Sequence, residues 1–283
     1  DDVITLWAGL GYYSRARNLH QAARQVVSDR GGAFPEDLDS LKALPGVGRS
    51  TAGAILSIAF DKPAPILDGN VRRVLVRLFA WMEDPRSSRA EKQLWVWAEA
   101  LTSQESPHDY AQVIMDLGAT VCTPREPNCG CCPLQAICQA RQKELTAVLP
   151  VARKKAKLPV RQQIALIVSH ADELLLRQRP PEGFLGGLWE FPTVDLPAGL
   201  DAEQVAVCLL ADLCLHGSLK KVGEIRHAYS HFKLELSVYR VAAGGAEGIA
   251  EASTYRWFSG TELESLPLHG AHRKAYGQFE KDS

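Results

Sequence analysis

Hydrophobic residues in the first half of the chain recur every three or four positions, which is the spacing of one buried helix face. Behind the pair Tyr12-Tyr13 this spacing is kept by five residues, which are Ala16, Leu19, Ala23, Val26 and Val27. Pro35 predicts the first turn of a short helix that ends at Leu44. Further helices are predicted at residues 51–60, 70–81, 89–101 and 110–122. The pattern therefore indicates an all-α first half.

After residue 161 the pattern becomes strand-like, with short apolar runs bounded by turn residues. A turn is predicted at Ala171-Asp172. Strands are predicted at residues 164–169, 174–179, 220–227, 233–241 and 255–258, and helices at 202–215 and 271–279. An α+β domain is therefore expected to follow the all-α one.

Between the two halves, residues 142–160 are predicted to form a basic linker. Basic residues crowd its second half and the position after it, namely Arg153, Lys154, Lys155, Lys157 and Arg161. Such a segment is either a solvated tether or a strap that contacts DNA, and the sequence leaves both interpretations open.

The bulk composition excludes several classes of protein. The 283 residues are 46% hydrophobic and 23% charged, which is typical of globular domains. Nothing approaches the roughly 18 consecutive apolar residues of a membrane span, and no signal-peptide pattern opens the chain. The net charge of −1 gives no global basic signal, so nucleic-acid binding has to be argued locally. The start at Asp1, without Met, favours a fragment or a trimmed chain.

Five of the seven cysteines lie between residues 122 and 138, which suggests a metal site in a reducing cytosol. Cys122, Cys129, Cys132 and Cys138 have the spacing C-x6-C-x2-C-x5-C, and four thiolates on one loop can enclose a 4Fe–4S cluster. A zinc site is the alternative, although four-cysteine zinc sites usually use two C-x2-C pairs. Cys131 is interpreted as a bystander, because using it would shift both neighbouring spacings.

Residues 44–51, with the sequence LPGVGRST, predict a helix-hairpin-helix turn that includes Ser50. Gly46 and Gly48, with Val47 between them, let the backbone turn tightly and approach a phosphate. Exposed N–H groups at the start of the next helix can then bind the anion.

A carboxylate follows this hairpin. Asp68 lies eighteen residues after Ser50, in the sequence PILDGNV, and Asn70 opens the next predicted helix. Asp and Asn are common helix N-caps, so this stretch alone favours a capping role. Beside the hairpin and the cysteine loop, a catalytic role for Asp68 is favoured instead.

In this order, the hairpin, the aspartate loop and the cysteine spacing resemble the DNA glycosylase superfamily that includes endonuclease III. The resemblance implies that Asp68 lies beside the anomeric carbon of the target nucleotide. A fixed carboxylate there would stabilise the oxocarbenium character that develops when an N-glycosidic bond breaks. The residues that it implies for contact with DNA in this region are Gly46, Val47, Gly48, Ser50 and Asn70.

Two segments point to the adenine glycosylase branch, the MutY type. The endonuclease III branch has a lysine nucleophile where this chain has Ser50, so a monofunctional glycosylase is expected and a bifunctional glycosylase/lyase is the alternative. Residues 7–17, WAGLGYYSRAR, are similar to adenine glycosylases, in which the first tyrosine of the pair wedges beside 8-oxoguanine. Tyr12 would take that role and help base flipping, whereas a plain aromatic core anchor is the alternative.

The second half resembles the Nudix fold through PPEG and GGLWEFP within residues 180–192. Nudix enzymes hold Mg²⁺ with paired glutamates, which residues 201–212 lack, so nucleoside diphosphate hydrolysis is not expected. Tyr229-Ser230-His231 resembles the Phe-Ser-His loop with which adenine glycosylases read 8-oxoguanine. Its hydroxyl and imidazole can bond the altered base edge, whereas an ordinary strand-end turn is the alternative.

Together these features predict a multidomain protein. Its parts would be a helix-hairpin-helix glycosylase domain at residues 1–121, an iron–sulfur cluster loop at 122–141, the basic linker at 142–160 and an α+β Nudix-like domain at 161–283. The resemblance implies base-excision repair of adenine opposite 8-oxoguanine or guanine in double-stranded DNA. We also expect a monomer that works in the cytoplasm at the nucleoid, with no membrane partner.

One family element does not occur in this sequence. Adenine glycosylases carry a glutamate in a Leu-Gln-Gln-Thr helix that protonates the leaving adenine, and by alignment it would precede Asp1. General acid catalysis is commonly worth about 10²–10⁴-fold, so the chain is expected to be deficient in excision. A lesion-binding module without catalysis is therefore a further alternative.

Overall fold

The computed structural model describes residues 2–7, 10–151, 157–180, 182–243 and 254–282. The chain forms two compact units. We name residues 21–155 the helical unit, and residues 1–20 together with 156–283 the sheet unit. No helix among the described residues has both the length and the apolar character needed to cross a membrane.

The regular structure described up to residue 142 is helical. The elements are α1 (Asp2–Leu6), α2 (Tyr13–Arg30), α3 (Leu38–Lys42), α4 (Arg49–Phe60), α5 (Gly69–Leu78), α6 (Ser88–Leu101), α7 (Pro107–Asp116), a π-helical turn (Leu117–Val121) and α8 (Gln139–Gln142). One apolar cluster joins α3 and α4 to the part of α2 beyond Gln21, and a larger one surrounds α5.

Helix α5 is the central helix of the helical unit. Its residues 71 and 74–78 are buried, and the apolar ones pack against α6, α7 and Leu149. Burying one valine or leucine side chain is worth about 1.5–3 kcal/mol. This core therefore fixes the position of α5 and of the residue that caps it.

Two glycines permit close backbone contacts beside α5. A Cβ added to Gly53 of α4 would overlap the carbonyl oxygen of Pro65, and one added to Gly118 would lie 2.7 Å from Cβ of Asn70. Larger residues at these positions would force the backbone apart. The loop before α5 therefore lies directly on α4, and the π-helical turn lies on the start of α5.

The sheet unit contains a seven-stranded mixed sheet. Its elements are β1 (Val160–His170), β2 (Glu173–Gln178), β3 (Trp189–Glu190), β4 (Thr193–Asp195), α9 (Ala202–Asp212), β5 (Leu219–Ala228), β6 (Lys233–Ala242), β7 (Tyr255–Ser259), α10 (Gly260–Ser265) and α11 (Gly270–Asp282). The strand order is β3-β2-β1-β6-β5, with β4 paired to β1 and β7 to β2. The β1–β6 pair is parallel and the other pairs are antiparallel.

Strand β1 is buried on both faces, which explains its continuous apolar run. Ala165 and Ile167 belong to the cluster on the α10–α11 face. Ile164, Leu166 and Val168 belong to the cluster on the α9 face. The sheet therefore has a helical layer on each side.

Most predicted elements are present, and their boundaries differ for local reasons. The helix predicted from Pro35 begins only at Leu38, because the Asp37 carboxylate accepts a hydrogen bond from Ser40 N and caps it there. The helix predicted over residues 110–122 begins at Pro107 and turns π-helical after Asp116. The pattern does not predict β3, β4, α8 or α10, which are too short to show a period.

The linker and the domain boundaries stay predictions. Arg153, Lys154 and Lys155 lie outside the described residues, so both interpretations of the linker stay open. Residues 1–20 group with the sheet unit, whereas the predicted boundaries assign them to the helical domain.

Candidate functional site

Asp68 is the N-cap of α5. Its backbone is extended, and its Oδ1 accepts a hydrogen bond from Val71 N at 2.7 Å. The residue is half-buried, and its Oδ2 makes no hydrogen bond with a described residue. The capping role is therefore present, and it leaves one carboxylate oxygen free to act on a substrate.

Ser50 ties the hairpin to the aspartate loop. Its Oγ accepts a hydrogen bond from Leu67 N at 3.0 Å, so the hydroxyl holds the residue that precedes Asp68. Gly46 has a φ of 78°, in the left-handed region that favours glycine. Gly48 caps α4 without a side-chain hydrogen bond. The first N–H groups of α4 therefore have no side-chain cap at Gly48.

Arg73 connects the start of α5 to the first cysteine. Its Nη2 donates to Asn70 Oδ1 at 2.9 Å and to Gly118 O at 2.5 Å, and its Nε donates to Cys122 O at 2.7 Å. Burial lowers the pKa of Arg73, while the nearby Cys122 and Asp68 act in the opposite direction. Asn70, predicted to contact DNA, therefore has its amide oxygen engaged within the helical unit.

Arg77, one turn further along α5, organises the cysteine loop. Only 2% of the residue is exposed. Its guanidinium donates to the carbonyl oxygens of Leu149 at 2.9 Å, Thr123 at 2.7 Å and Pro124 at 3.1 Å, and lies 3.4 Å from Cys122 Sγ. A buried cation with this many acceptors stabilises the loop and places positive charge beside the thiols.

The four predicted ligands lie around one small space. Cys122, Cys129, Cys132 and Cys138 line a cavity of about 30 Å³ together with Arg77. Burial, and then the neighbouring thiols, raise the pKa of Cys132, so a bound cation would be needed to keep the thiolates together. Cys131 is exposed, does not line the cavity, and donates to Asn128 O at 3.5 Å.

The spacing of the sulfurs bears on the kind of metal. Within the described ranges, three ligand atoms that all lie within 4.8 Å of one another occur only at Glu190, His269 and His272. Tetrahedral zinc with Zn–S bonds of about 2.3 Å would bring its sulfurs to about 3.8 Å from one another. In the described residues, no three of the four sulfurs therefore lie as close together as the ligands of a single zinc ion would.

Tyr229, Ser230 and His231 form the turn between β5 and β6. Tyr229 N donates to Phe232 O at 2.9 Å and closes the turn. Ser230 and His231 are exposed at its tip, with Ser230 Oγ 3.1 Å from His231 Nδ1. The residues thus occupy a strand-end turn, and their polar groups are accessible to a ligand.

The sheet unit contains a cavity of about 840 Å³ that brings Tyr12 together with this turn. Tyr12, Tyr229, Ser230 and His231 all line it. Tyr12 is 75% exposed, so it is not a core anchor, and its φ of 48° is rare for a residue with a side chain. Such backbone strain tends to persist at functional positions.

Phe184 also lines this cavity, although no sequence motif points to it. Its ring packs edge-on against Tyr229 and Phe232, with centroids 5.0 and 5.3 Å apart. Arg17 holds its loop, because Nη1 donates to Gly186 O at 2.6 Å. The only sequence signal for either residue is that both lie within the two family-like segments, residues 7–17 and 180–192.

A buried carboxylate lies deeper in the sheet unit. Glu190 has a side chain that is 2% exposed, and it pairs with Arg177 at 2.5 Å and Arg179 at 2.6 Å. Burial acts to raise the pKa of Glu190. The polar contact with His269, whose Nε2 lies 3.6 Å from the carboxylate, and the charges of the arginines outweigh it and hold that pKa far below its ordinary value.

Two buried histidines adjoin this ion-pair network. His269 Nε2 lies 3.6 Å from Glu190 Oε2, and His272 Nδ1 accepts from Phe191 N at 2.9 Å. Burial lowers the pKa of both histidines, so both are neutral near pH 7.

Glu190, His269 and His272 have the geometry of a three-ligand metal site, but their charge surroundings oppose one. Arg177 and Arg179 already occupy both carboxylate oxygens. A divalent cation would add charge next to two partly buried guanidinium groups. We therefore interpret the group as an ion-pair network.

Comparison with known proteins gives two family matches. A model of the HhH-GPD superfamily of base excision DNA repair proteins matches residues 1–100, and a NUDIX domain model matches residues 163–278. The adenine DNA glycosylase of Rattus norvegicus is 37% identical over 99% of this chain. That of Schizosaccharomyces pombe is 31% identical over 94% of this chain, which covers 68% of the yeast protein. This chain belongs to the adenine DNA glycosylase family.

Family membership confirms the predicted fold class, a helix-hairpin-helix glycosylase domain followed by a Nudix-like domain. The chain spans 64% of the rat relative's length and 61% of that of the Homo sapiens relative. A solved thermostable thymine-DNA glycosylase is 32% identical, with a TM-score of 0.45 over 50% of this chain and 65% of that one. The assignment depends on the sequence relatives, because this overlap is partial.

Proposed function

We propose that this chain takes part in base-excision repair as part of a monofunctional adenine DNA glycosylase, acting on adenine opposite 8-oxoguanine or guanine, and that the sequence as given, which contains no Leu-Gln-Gln-Thr glutamate, is deficient in excision. In this reaction water replaces adenine at C1′ of the deoxyribose, and the DNA strand stays intact. The observation that carries the proposal is the position of Asp68, held at the mouth of α5 with Oδ2 free. Family membership supports the substrate class.

Asp68 would act on the developing charge of the sugar. Loss of the base leaves a cationic sugar, and a preorganised carboxylate stabilises it without reorganising. Val71 N and the Ser50–Leu67 hydrogen bond hold the carboxylate in place before DNA arrives. The uncapped N–H groups at the start of α4 would bind a phosphate, as helix N-termini commonly do.

Ser50 supports the absence of strand cleavage. Its hydroxyl is engaged with Leu67 N, and it offers no amine that could form a Schiff base with the sugar. A lysine at this position would restore that nucleophile. The bifunctional alternative therefore requires a different amine.

The sheet unit would read the base opposite adenine. Ser230 and His231 carry hydrogen-bonding groups at an exposed tip, and hydrogen bonds distinguish 8-oxoguanine from guanine. Tyr12 offers a stacking face, which tolerates any base. The partner would be double-stranded DNA with such a mispair.

The four cysteines around the small cavity would hold a 4Fe–4S cluster. Its thiolate ligands would come from both ends and from the middle of the loop of residues 122–138. When bound, the cluster would cross-link this loop. Arg77 would contribute the positive charge that stabilises the thiolates.

The proposed role of Asp68 is tested with two abasic-site mimics opposite 8-oxoguanine. One mimic is a cationic pyrrolidine and the other is the neutral tetrahydrofuran of the same shape. The unmodified chain should bind the cation more tightly, because a transition-state mimic profits from the fixed carboxylate. Asp68→Asn should lose this difference and keep its binding to tetrahydrofuran.

Asn is also a good N-cap, so Asp68→Asn should change the free energy of unfolding little. If the variant mainly loses stability and keeps its preference for the cation, Asp68 is only a cap. Borohydride trapping on a preformed abasic site tests the lyase alternative. The unmodified chain should give no covalent adduct, and Ser50→Lys is the positive control.

A further inference from the structure

The hydroxyl of Tyr229 contacts a buried histidine. It lies 3.1 Å from Nδ1 of His269, whose Nε2 faces Glu190 at 3.6 Å. His269 is only 4% exposed, so little water competes for either ring nitrogen. The contacts therefore run without a break from the turn of residues 229–232 to the buried ion-pair network.

The direction of the hydrogen bonds follows from Glu190. Arg177 and Arg179 keep Glu190 ionised, and a carboxylate only accepts. A neutral His269 therefore carries its proton on Nε2, so Nδ1 accepts and the Tyr229 hydroxyl donates. Burial raises the pKa of Tyr229 to about 12, which keeps this donor protonated.

We propose that His269 is a positioning residue for lesion specificity: by accepting the Tyr229 hydroxyl, it fixes the turn that presents Ser230 and His231. The inference rests on the proposed reading of 8-oxoguanine by this turn. Tyr229 closes the turn through its N–H to Phe232 O, so a fixed ring at Tyr229 fixes the base of the turn. Orientation matters because hydrogen bonds weaken steeply when misaligned.

The hydroxyl that makes this bond is present because this chain has Tyr229 where the loop that it resembles usually has phenylalanine. Phenylalanine has no hydroxyl and leaves Nδ1 without this donor. In this chain, Phe184, His227 and Phe232 also pack around the Tyr229 ring, with centroids 4.5–5.0 Å from it. Packing places the ring, and the hydroxyl sets its orientation.

A matched pair of substitutions separates the two nitrogens of His269. His269→Asn keeps an acceptor near the place of Nδ1, whereas His269→Gln keeps a polar group near the place of Nε2 only. The measurement is the ratio of affinities for adenine opposite 8-oxoguanine and adenine opposite guanine, at one salt concentration. A ratio is insensitive to a partly unfolded sample, because both affinities fall together.

The unmodified chain and His269→Asn should keep the preference for 8-oxoguanine over guanine. In His269→Gln and in Tyr229→Phe the affinity ratio should fall about fivefold, which corresponds to the loss of one neutral hydrogen bond. Tyr239→Phe, another buried tyrosine of this unit, should leave the ratio unchanged. Equal losses for Asn and Gln, or full preference in Tyr229→Phe, would overturn the proposal. An unmodified chain with no preference would overturn the proposed lesion reading as well.

The ¹⁵N spectrum of the His269 imidazole provides a readout that needs no DNA. Nε2 should be protonated and Nδ1 unprotonated, and the Nδ1 signal should shift in Tyr229→Phe. A protonated Nδ1 in the unmodified chain would overturn the proposal even where the lesion preference is intact.

Discussion

The helical unit and the sheet unit hold their candidate sites in place by different means. In the helical unit, contacts with the backbone provide most of the positioning. They are the Asp68 cap, the close contact at Gly53 and the carbonyls bound by Arg77. In the sheet unit, side chains rest on other side chains, from Tyr229 through His269 to Glu190. Backbone placement needs a few residue types at fixed spacing, whereas side-chain placement needs residues that are far apart in the chain.

The largest effect is expected at the cysteine loop, where the loss of one cysteine ligand should abolish iron binding altogether. Protein purified without oxygen should hold about four irons per chain. Cys132→Ser should abolish them, and Cys131→Ser, the adjacent control outside the cavity, should keep them. Iron and zinc analysis checks this, and stoichiometric zinc without iron would contradict the cluster.

The next largest effect is expected from breaking the buried ion-pair network of the sheet unit. Glu190→Gln leaves Arg177 and Arg179 without their carboxylate. Removing one partner of a buried pair costs about 3–5 kcal/mol. Denaturant unfolding followed by hydrogen exchange should locate this loss in the sheet unit, and Asp212→Asn, an exposed control on α9, should show none. A uniform loss in both units would show that the network does not stabilise the sheet unit separately.

The pH dependence of stability should also separate the units. The folded pKa values of His269 and His272 lie below their ordinary 6.5, so the unfolded chain binds more protons and stability falls once the pH drops below about 6.5. Glu190 adds a second loss below its ordinary 4.5, because its folded pKa is also lowered. Unfolding curves measured at chosen pH values of 7.5, 5.5 and 4 should show that the sheet unit loses stability in both steps. His272→Asn should reduce the first of these two losses. A stability that is flat to pH 5 would contradict this.

A smaller effect is expected on the preference for 8-oxoguanine over guanine as the base opposite adenine. Replacing Ser230 and His231 together with Ala should bring affinity for adenine opposite 8-oxoguanine close to that for adenine opposite guanine, because a base-edge contact is worth about 1–3 kcal/mol. Affinity for undamaged duplex should barely change, since phosphate contacts supply it. Tyr12→Ala should weaken binding to both mispairs. Binding titrations at one salt concentration test this, and full preference in the double variant would assign lesion reading elsewhere.

The smallest effect is expected at Ser50. Ser50→Ala removes the acceptor for Leu67 N, a loss of about 1 kcal/mol in the helical unit. Ser28→Ala, with an exposed hydroxyl, is the control. Urea unfolding measures both. No change in Ser50→Ala would mean that the Asp68 cap and the packing at Gly53 hold the aspartate loop without this bond.

Short motifs predict much of the helical unit because their physics is local. The hairpin glycines, the cap at Asp68 and the cysteine spacing each act within a few residues or one loop. The cysteine spacing also separates Cys131 from the four residues that line the cavity. Arg77 carries no such signal, because its acceptors lie 46 to 72 positions away.

The amino-acid sequence by itself determined the succession of the longer helices and strands, the spacing of the four cysteines, and the placement of Asp68 at a helix start. Only the tertiary structure decided that Phe184 joins the cavity, that His269 lies under Tyr229, and that two arginines hold Glu190. Tyr229 and His269 are 40 positions apart, and Phe191 and His272 are 81 apart. Such pairs meet because strand register and helix packing bring them together, and no local periodicity encodes that.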